Sequence, residues 1–406
     1  MLIIPSAIIG DTLIAMHQGW SLKSGGTFAK LVWPVAILCG GCVLLCASAT
    51  VRRLFARRAR QFWLLSVATS LGLLLGEVVL GRLHPQPDFH CRPPGARYRY
   101  EPNSSVVPGV FGAATASING LGLRGTDRPA GPGVYRILCV GGSTTECLFL
   151  DDAESWPALL MADLNRAGTG KYWVGAAAVS EMASADHLRF LRDSPRVAEV
   201  QCVLLLVGAG DFMRLALGMD TGGQTPPLWL DSNWLAHLRE IWNVKLRAGI
   251  VVDRTGERYA LLERNLPIAA GTLPIKDALD QYANRLRSIA QVARDRKLRL
   301  VLCTQPVMWD DYLTTLGNER LRFVRVYPSA PDWSFLAGDC RAIMDQFNAR
   351  LVQVATETGV ELVDPATQMN GIEVYFYDDF RLNERGCAEF ASLLAEWFRG
   401  HPESSR

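Results

Sequence analysis

From residue 134 onward, short apolar runs alternate with longer stretches whose apolar positions recur every three or four residues. The runs at 136–140, 172–177, 201–207, 298–304 and 360–363 read as buried strands. The stretches at 155–166, 184–192, 276–296, 340–358 and 384–398 read as amphipathic helices. Regular alternation of this kind predicts an α/β domain with a mostly parallel sheet covered on both faces. It spans 134–400 and carries an insertion at about 212–272. Within the insertion Trp234, Leu238, Ile241 and Trp242 follow helical spacing across 233–248. That helix would pack on the sheet, or act as a lid, a sugar-stacking surface or a membrane-hugging segment.

Two other apolar runs differ in length. The stretch 31–50 has no charge, and 62–80 has one acid, Glu77; each is long enough to cross a bilayer. Between them stand Arg52, Arg53, Arg57, Arg58 and Arg60. Short arginine-rich loops stay cytoplasmic, so residues 1–83 read as a transmembrane two-helix hairpin that sends the rest of the chain to the opposite side. The expected location is the cell inner membrane, multi-pass, with the larger domain on the periplasmic or extracytoplasmic side. Residues 2–16 are apolar but too few to span. Residues 84–133 are rich in Pro and Gly and read as an extended linker with strand-like pieces.

Composition excludes more than it assigns. A net charge of +2 over 406 residues gives no nucleic-acid surface. Of ten Cys, Cys39, Cys42 and Cys46 lie in the apolar run at 31–50; the other seven are too widely spaced for a disulfide framework, and Cys147 reads as an inert buried thiol. Gly120-Leu-Gly-Leu-Arg-Gly125 spells a dinucleotide fingerprint, but a Pro- and Gly-rich stretch follows where that motif needs a helix. With no metal-ligand cluster and no Walker-type phosphate loop, no metal or cofactor is assigned.

Chemistry gathers at the strand ends. After 136–140, Gly141 and Gly142 let the backbone turn closely, which presents Ser143 at the carboxyl edge of the sheet, where open α/β folds bind ligands. Ser143 fits a nucleophile or a turn residue. Three more strand ends carry polar or glycine-rich sequence: 174–180, Val-Gly-Ala-Gly-Asp at 207–211, and Tyr-Asp-Asp-Phe-Arg-Leu-Asn at 377–383.

In the order and spacing of these blocks, and in Asn119-Gly-Leu-Gly-Leu-Arg-Gly125, the chain resembles the SGNH/GDSL hydrolase family in its membrane-anchored bacterial form. The resemblance implies a flavodoxin-like three-layer αβα domain and an ester hydrolase, often a deacylase of sugars or lipids. Ser143 matches the nucleophile and Asp378 the acid that orients the base. The second-block glycine falls on Ala178, with Ala177 possible, and the third-block asparagine falls on Gly210, beside a retained Asp211. The histidine position holds Arg381. Alanine for glycine keeps the backbone N–H, whereas loss of the asparagine removes an oxyanion donor, typically about 10²–10³ in turnover. Loss of the histidine removes the general base, which a permanently protonated guanidinium cannot replace. Arg381 would pair with Asp378 or Asp379, or hold an acidic sugar. His187 is the histidine nearest a motif, and reads as a packed or surface residue. Two functions follow: a membrane-anchored ester hydrolase acting on an acylated sugar or lipid, or the same fold kept as a non-catalytic binding or assembly module in cell-envelope polysaccharide handling.

Overall fold

The computed structural model describes, with small gaps, residues 91–216, 275–321 and 333–402, the short strands at 250–253 and 266–268, and scattered positions between 60 and 79. The chain divides into two compact units, 1–83 and 84–406. Among the described residues no helix is long and apolar enough to cross a membrane. The expected span at 31–50 lies outside them, as does nearly half of the one at 62–80 and the whole helix candidate at 233–248.

The second unit opens on strand β1 (Arg97–Tyr100), which pairs antiparallel with β2 (Ala114–Ser117). The central sheet begins with β3 (Tyr135–Gly141). A one-turn helix α1 (Ser143–Glu146), helix α2 (Trp156–Arg166) and strand β4 (Tyr172–Ala178) follow. Next come helix α3 (Ser184–Asp193), strand β5 (Cys202–Leu206) and helix α4 (Ala209–Ala216). Strand β6 (Ile250–Asp253) joins the first sheet, parallel to β1, and β7 (Leu266–Ile268) pairs with β9 (Trp333–Phe335). The long helix α5 (Ile275–Asp295), strand β8 (Arg299–Cys303), the short helix α6 (Thr315–Arg320), helix α7 (Ala337–Thr358) and strand β10 (Glu361–Val363) continue the alternation. Helix α8 (Ala366–Met369) and helix α9 (Glu384–Gly400) end it.

The central sheet has the order β10-β8-β5-β3-β4, every pair parallel. Taken from its first strand, this is the flavodoxin-like 2-1-3-4-5 order. Ile137–Val140 and the facing run 202–205 are fully buried, which is why these strands are apolar at every position rather than at alternate ones. The helices gather in two groups, α2 with α9, and α3 with α5 and α7. Strand order reverses between β3 and β5, so the crevice expected to bind ligands lies beyond their carboxyl ends.

The stretch before the sheet is not an extended linker. Tyr100, Val107, Val110 and Leu123 are buried in the same core as the sheet, and Arg124 exchanges two backbone hydrogen bonds with Ala176 on the outer edge of β4 (3.0 and 3.1 Å). Its glycines and prolines form turns that fold it onto the domain. Asn119 organises one of these. Its Oδ1 accepts from the amides of Leu121 and Leu123, and its Nδ2 donates to the Thr126 carbonyl. The apparent dinucleotide fingerprint is this turn.

Candidate active site

Ser143 is the first residue of α1, with Gly142 at the N-cap. The glycines serve through close approach. A Cβ on Gly141 would collide with Thr145 Oγ1 and stand 2.9 Å from the Leu206 carbonyl of β5. The Ser143 hydroxyl makes no hydrogen bond among the described residues. It lines a narrow cleft with Gly142, Thr144, Met182, His187, Gly210 and Phe380. The cleft lies where the strand order reverses.

Two helix starts converge there. Among the described residues no hydrogen bond uses the amides of Ser143 and Thr144 at the start of α1, or of Ala209 and Gly210 at the start of α4. First-turn amides have no partner inside their own helix. All four residues line the cleft, and unpaired amides at helix starts are suited to stabilising a developing oxyanion.

The turn after α1 is held from behind. Cys147 and Phe149 both take left-handed backbone conformations, φ 51° and 70°, which side chains other than glycine adopt at a cost. The buried guanidinium of Arg124 spans this turn, donating to the carbonyls of Glu146 (2.5 Å), Cys147 (2.7 Å) and Leu150 (2.6 Å). Glu146 ties α1 sideways: its carboxylate accepts from the amide and hydroxyl of Ser180 (2.8 and 2.6 Å) and pairs with Arg92. Neither role was read from the sequence. A charged residue set between Leu123 and Gly125 in an apolar turn was the available signal.

The remaining site candidates separate. Ala178 is the last residue of β4, in register with Gly141, and lines a second cleft with Arg92, Arg124 and Glu146. Met182, four residues on, is the residue of that loop that reaches the serine cleft. Gly210 lines the cleft, and an asparagine there would have to displace neighbouring backbone. A Cβ at 210 would press into the Met182 carbonyl oxygen and lie 2.8 Å from its carbon and 3.1 Å from Ala183 Cα.

Asp211 is buried and caps a neighbouring helix. Its carboxylate accepts from the amide and hydroxyl of Ser184, the first residue of α3 (2.9 and 2.5 Å), with Arg285 at 3.7 Å. Burial pushes its carboxyl up to about 6, against the pull of Ser184, Arg285 and Arg214.

Asp378 is occupied by its own loop. It accepts from the amides of Phe380 (3.3 Å) and Arg381 (2.9 Å), and from the Arg381 guanidinium at 2.5 Å. Of the roles open to Arg381, this is the pairing with Asp378. The loop adjoins the serine turn through Thr144 Oγ1, which donates to the Phe380 carbonyl (3.3 Å). His187, expected to be a packed or surface residue, lines the cleft. It is indeed buried, and burial pushes it down to about 4, helped by Arg214 and opposed by Asp186. Among the described residues no hydrogen bond joins it to Ser143.

Fold and cleft together define a three-layer αβα protein with a serine presented at the switch point of a parallel sheet. No family model and no curated protein matches the chain. Among the solved structures it resembles are GDSL-like lipases, esterases and acylhydrolases. A GDSL-like lipase from Bacteroides thetaiotaomicron is 12% identical, with TM-score 0.37 over 66% of this chain and 89% of its own. The lipase/acylhydrolase from Enterococcus faecalis is 11% identical, with TM-score 0.37 over 67% of this chain and 99% of its own. A psychrotrophic esterase from Pseudoalteromonas is 12% identical, with TM-score 0.35 over 66% of this chain and 97% of its own.

Proposed function

We propose that the chain is an ester hydrolase of the SGNH type in which Ser143 takes up the acyl group of an acylated sugar or lipid, slowly, because no base is bonded to its hydroxyl. One observation carries this reading: an unengaged serine hydroxyl shares its cleft with four unused amides from two helix starts. Those amides favour the tetrahedral intermediate over the ground state. The rate is held down at the proton-transfer step. Asp378 neutralises Arg381 instead of orienting an imidazole, and the imidazole present, His187, is buried and a weak proton acceptor. The apolar runs at 31–50 and 62–80, with arginines between them, support membrane anchoring and an extracytoplasmic site.

The test is hydrolysis of short-chain p-nitrophenyl esters by the full chain in detergent, beside Ser143→Ala. Release above buffer background in the parent, falling to background in the variant, is expected. Equal rates in both would remove the reading. They would leave the second one, a binding module, which the locked Asp378–Arg381 pair favours.

A further inference from the structure

We propose that Cys147 and Cys387 form a modification site, a dithiol whose oxidation to a disulfide fastens the serine turn to helix α9. Their sulfurs lie 4.0 Å apart, across 240 residues of chain, and both side chains are buried. A disulfide needs about 2.05 Å between sulfurs, so the gap closes by roughly 1 Å of movement at each side chain.

Both backbones are already fixed. Cys147 ends α1 in a left-handed conformation, with its carbonyl and that of Glu146 gripped by Arg124. Cys387 stands in the first turn of α9, where Asn383 caps the helix by accepting from the Gly386 amide (2.9 Å). Trp156 braces the contact from α2: its indole N–H donates to the Thr144 carbonyl (3.1 Å), and its ring meets Phe390 of α9 edge-on. Little conformational freedom remains to be lost on closure, which favours the bond once an oxidant reaches it.

The oxidant is a second disulfide of the small-molecule thiol class, such as oxidised glutathione. One protein thiolate attacks it, giving a mixed disulfide and releasing one small thiol. The other protein thiolate then displaces the second small thiol. Overall the sulfur–sulfur bond of the oxidant breaks, that of Cys147–Cys387 forms, and the two electrons and two protons of the protein dithiol end on the two released thiols. The inference stands apart from ester hydrolysis, because it needs no acyl chemistry at Ser143.

The experiment equilibrates the full chain with oxidised or reduced glutathione, quenches in acid, alkylates under denaturing conditions and maps peptides without reduction. The oxidised sample should yield a 147–387 cross-linked peptide pair, with the protein lighter by about 2 Da, and melt about 5 °C or more above the reduced sample. Cys387→Ala and Cys147→Ala should each lose both the cross-link and the redox shift in melting. Should a variant fail to fold, the wild-type peptide map decides alone. Full alkylation of both cysteines after equilibration with the oxidant, or a cross-link from either one to a different cysteine, would overturn the proposal.

Discussion

Replacing Gly210 with alanine is expected to destabilise the second unit by about 3 kcal/mol or more, lowering its melting temperature by roughly 5–10 °C. The added Cβ meets backbone, the Met182 carbonyl and Ala183 Cα, and not the movable end of a side chain. Relief requires the loop between β4 and α3 to move outward. That loop is anchored at both ends, by Glu146 on Ser180 and by Asp211 on Ser184. Asparagine at 210 should do no better than alanine, and adding Arg381→His should not rescue ester cleavage. Thermal melts of G210A and G210N beside the parent give the answer. A shift within about 1 °C would show that the loop yields freely and that position 210 was never sterically closed.

His187 and Asp211 should tilt the stability curve in opposite directions below neutral pH. For His187 the folded value of about 4 lies below the ordinary 6.5. The unfolded chain therefore takes the proton first. The stability that His187 contributes is whole above pH 6.5 and is lost as pH falls toward 4, about 3 kcal/mol in all. For Asp211 the folded value of about 6 lies above the ordinary 3.8. Here the folded chain takes the proton first, so stability is gained as pH falls from 6 toward 3.8, by a similar amount of about 3 kcal/mol. The two oppose each other in the parent. Removing one exposes the other: the melting temperature of His187→Gln, measured relative to the parent, should climb between pH 6.5 and 4.5, and that of Asp211→Asn should sink. Difference curves that stay level would refute both assignments.

Strand and helix bounds after residue 134 were readable because burial on both faces writes itself as unbroken apolar runs, and one-sided burial as a stripe. Tyr135–Gly141 and Glu384–Gly400 lie within two residues of their expected ends. The serine's place at the rim followed from the same logic, since a strand that ends in two glycines must release its chain there. What the sequence concealed depends on contacts between distant segments. Nothing local tells that a carbonyl 28 residues upstream of Gly210 fills the space an asparagine would need, or that Ala178 faces Arg92 instead of the serine. Residues 84–133 misled for a related reason. Pro and Gly mark turns whether a segment is loose or folded against a neighbour, and the pairing of Arg124 with Ala176 decides between those states. Asp211 and Asp378 were expected at strand ends; Asp211 lies in the first turn of α4, and Asp378 lies in a loop 15 residues past the end of β10. Their partners, a serine on another helix and an arginine three residues away, show that each holds a loop in place.

The grip of Arg124 also orders events in time. The carbonyls it holds lie only 22 to 26 residues further along the chain, so this clasp can close soon after residue 150 leaves the ribosome. The opposite wall, at Phe380, is 236 residues beyond Thr144 and so is synthesised much later than the turn. Until Phe380 is made, the nascent chain thus carries the serine turn with its far side open, and a chain halted before residue 377 would keep the turn while leaving it uncovered.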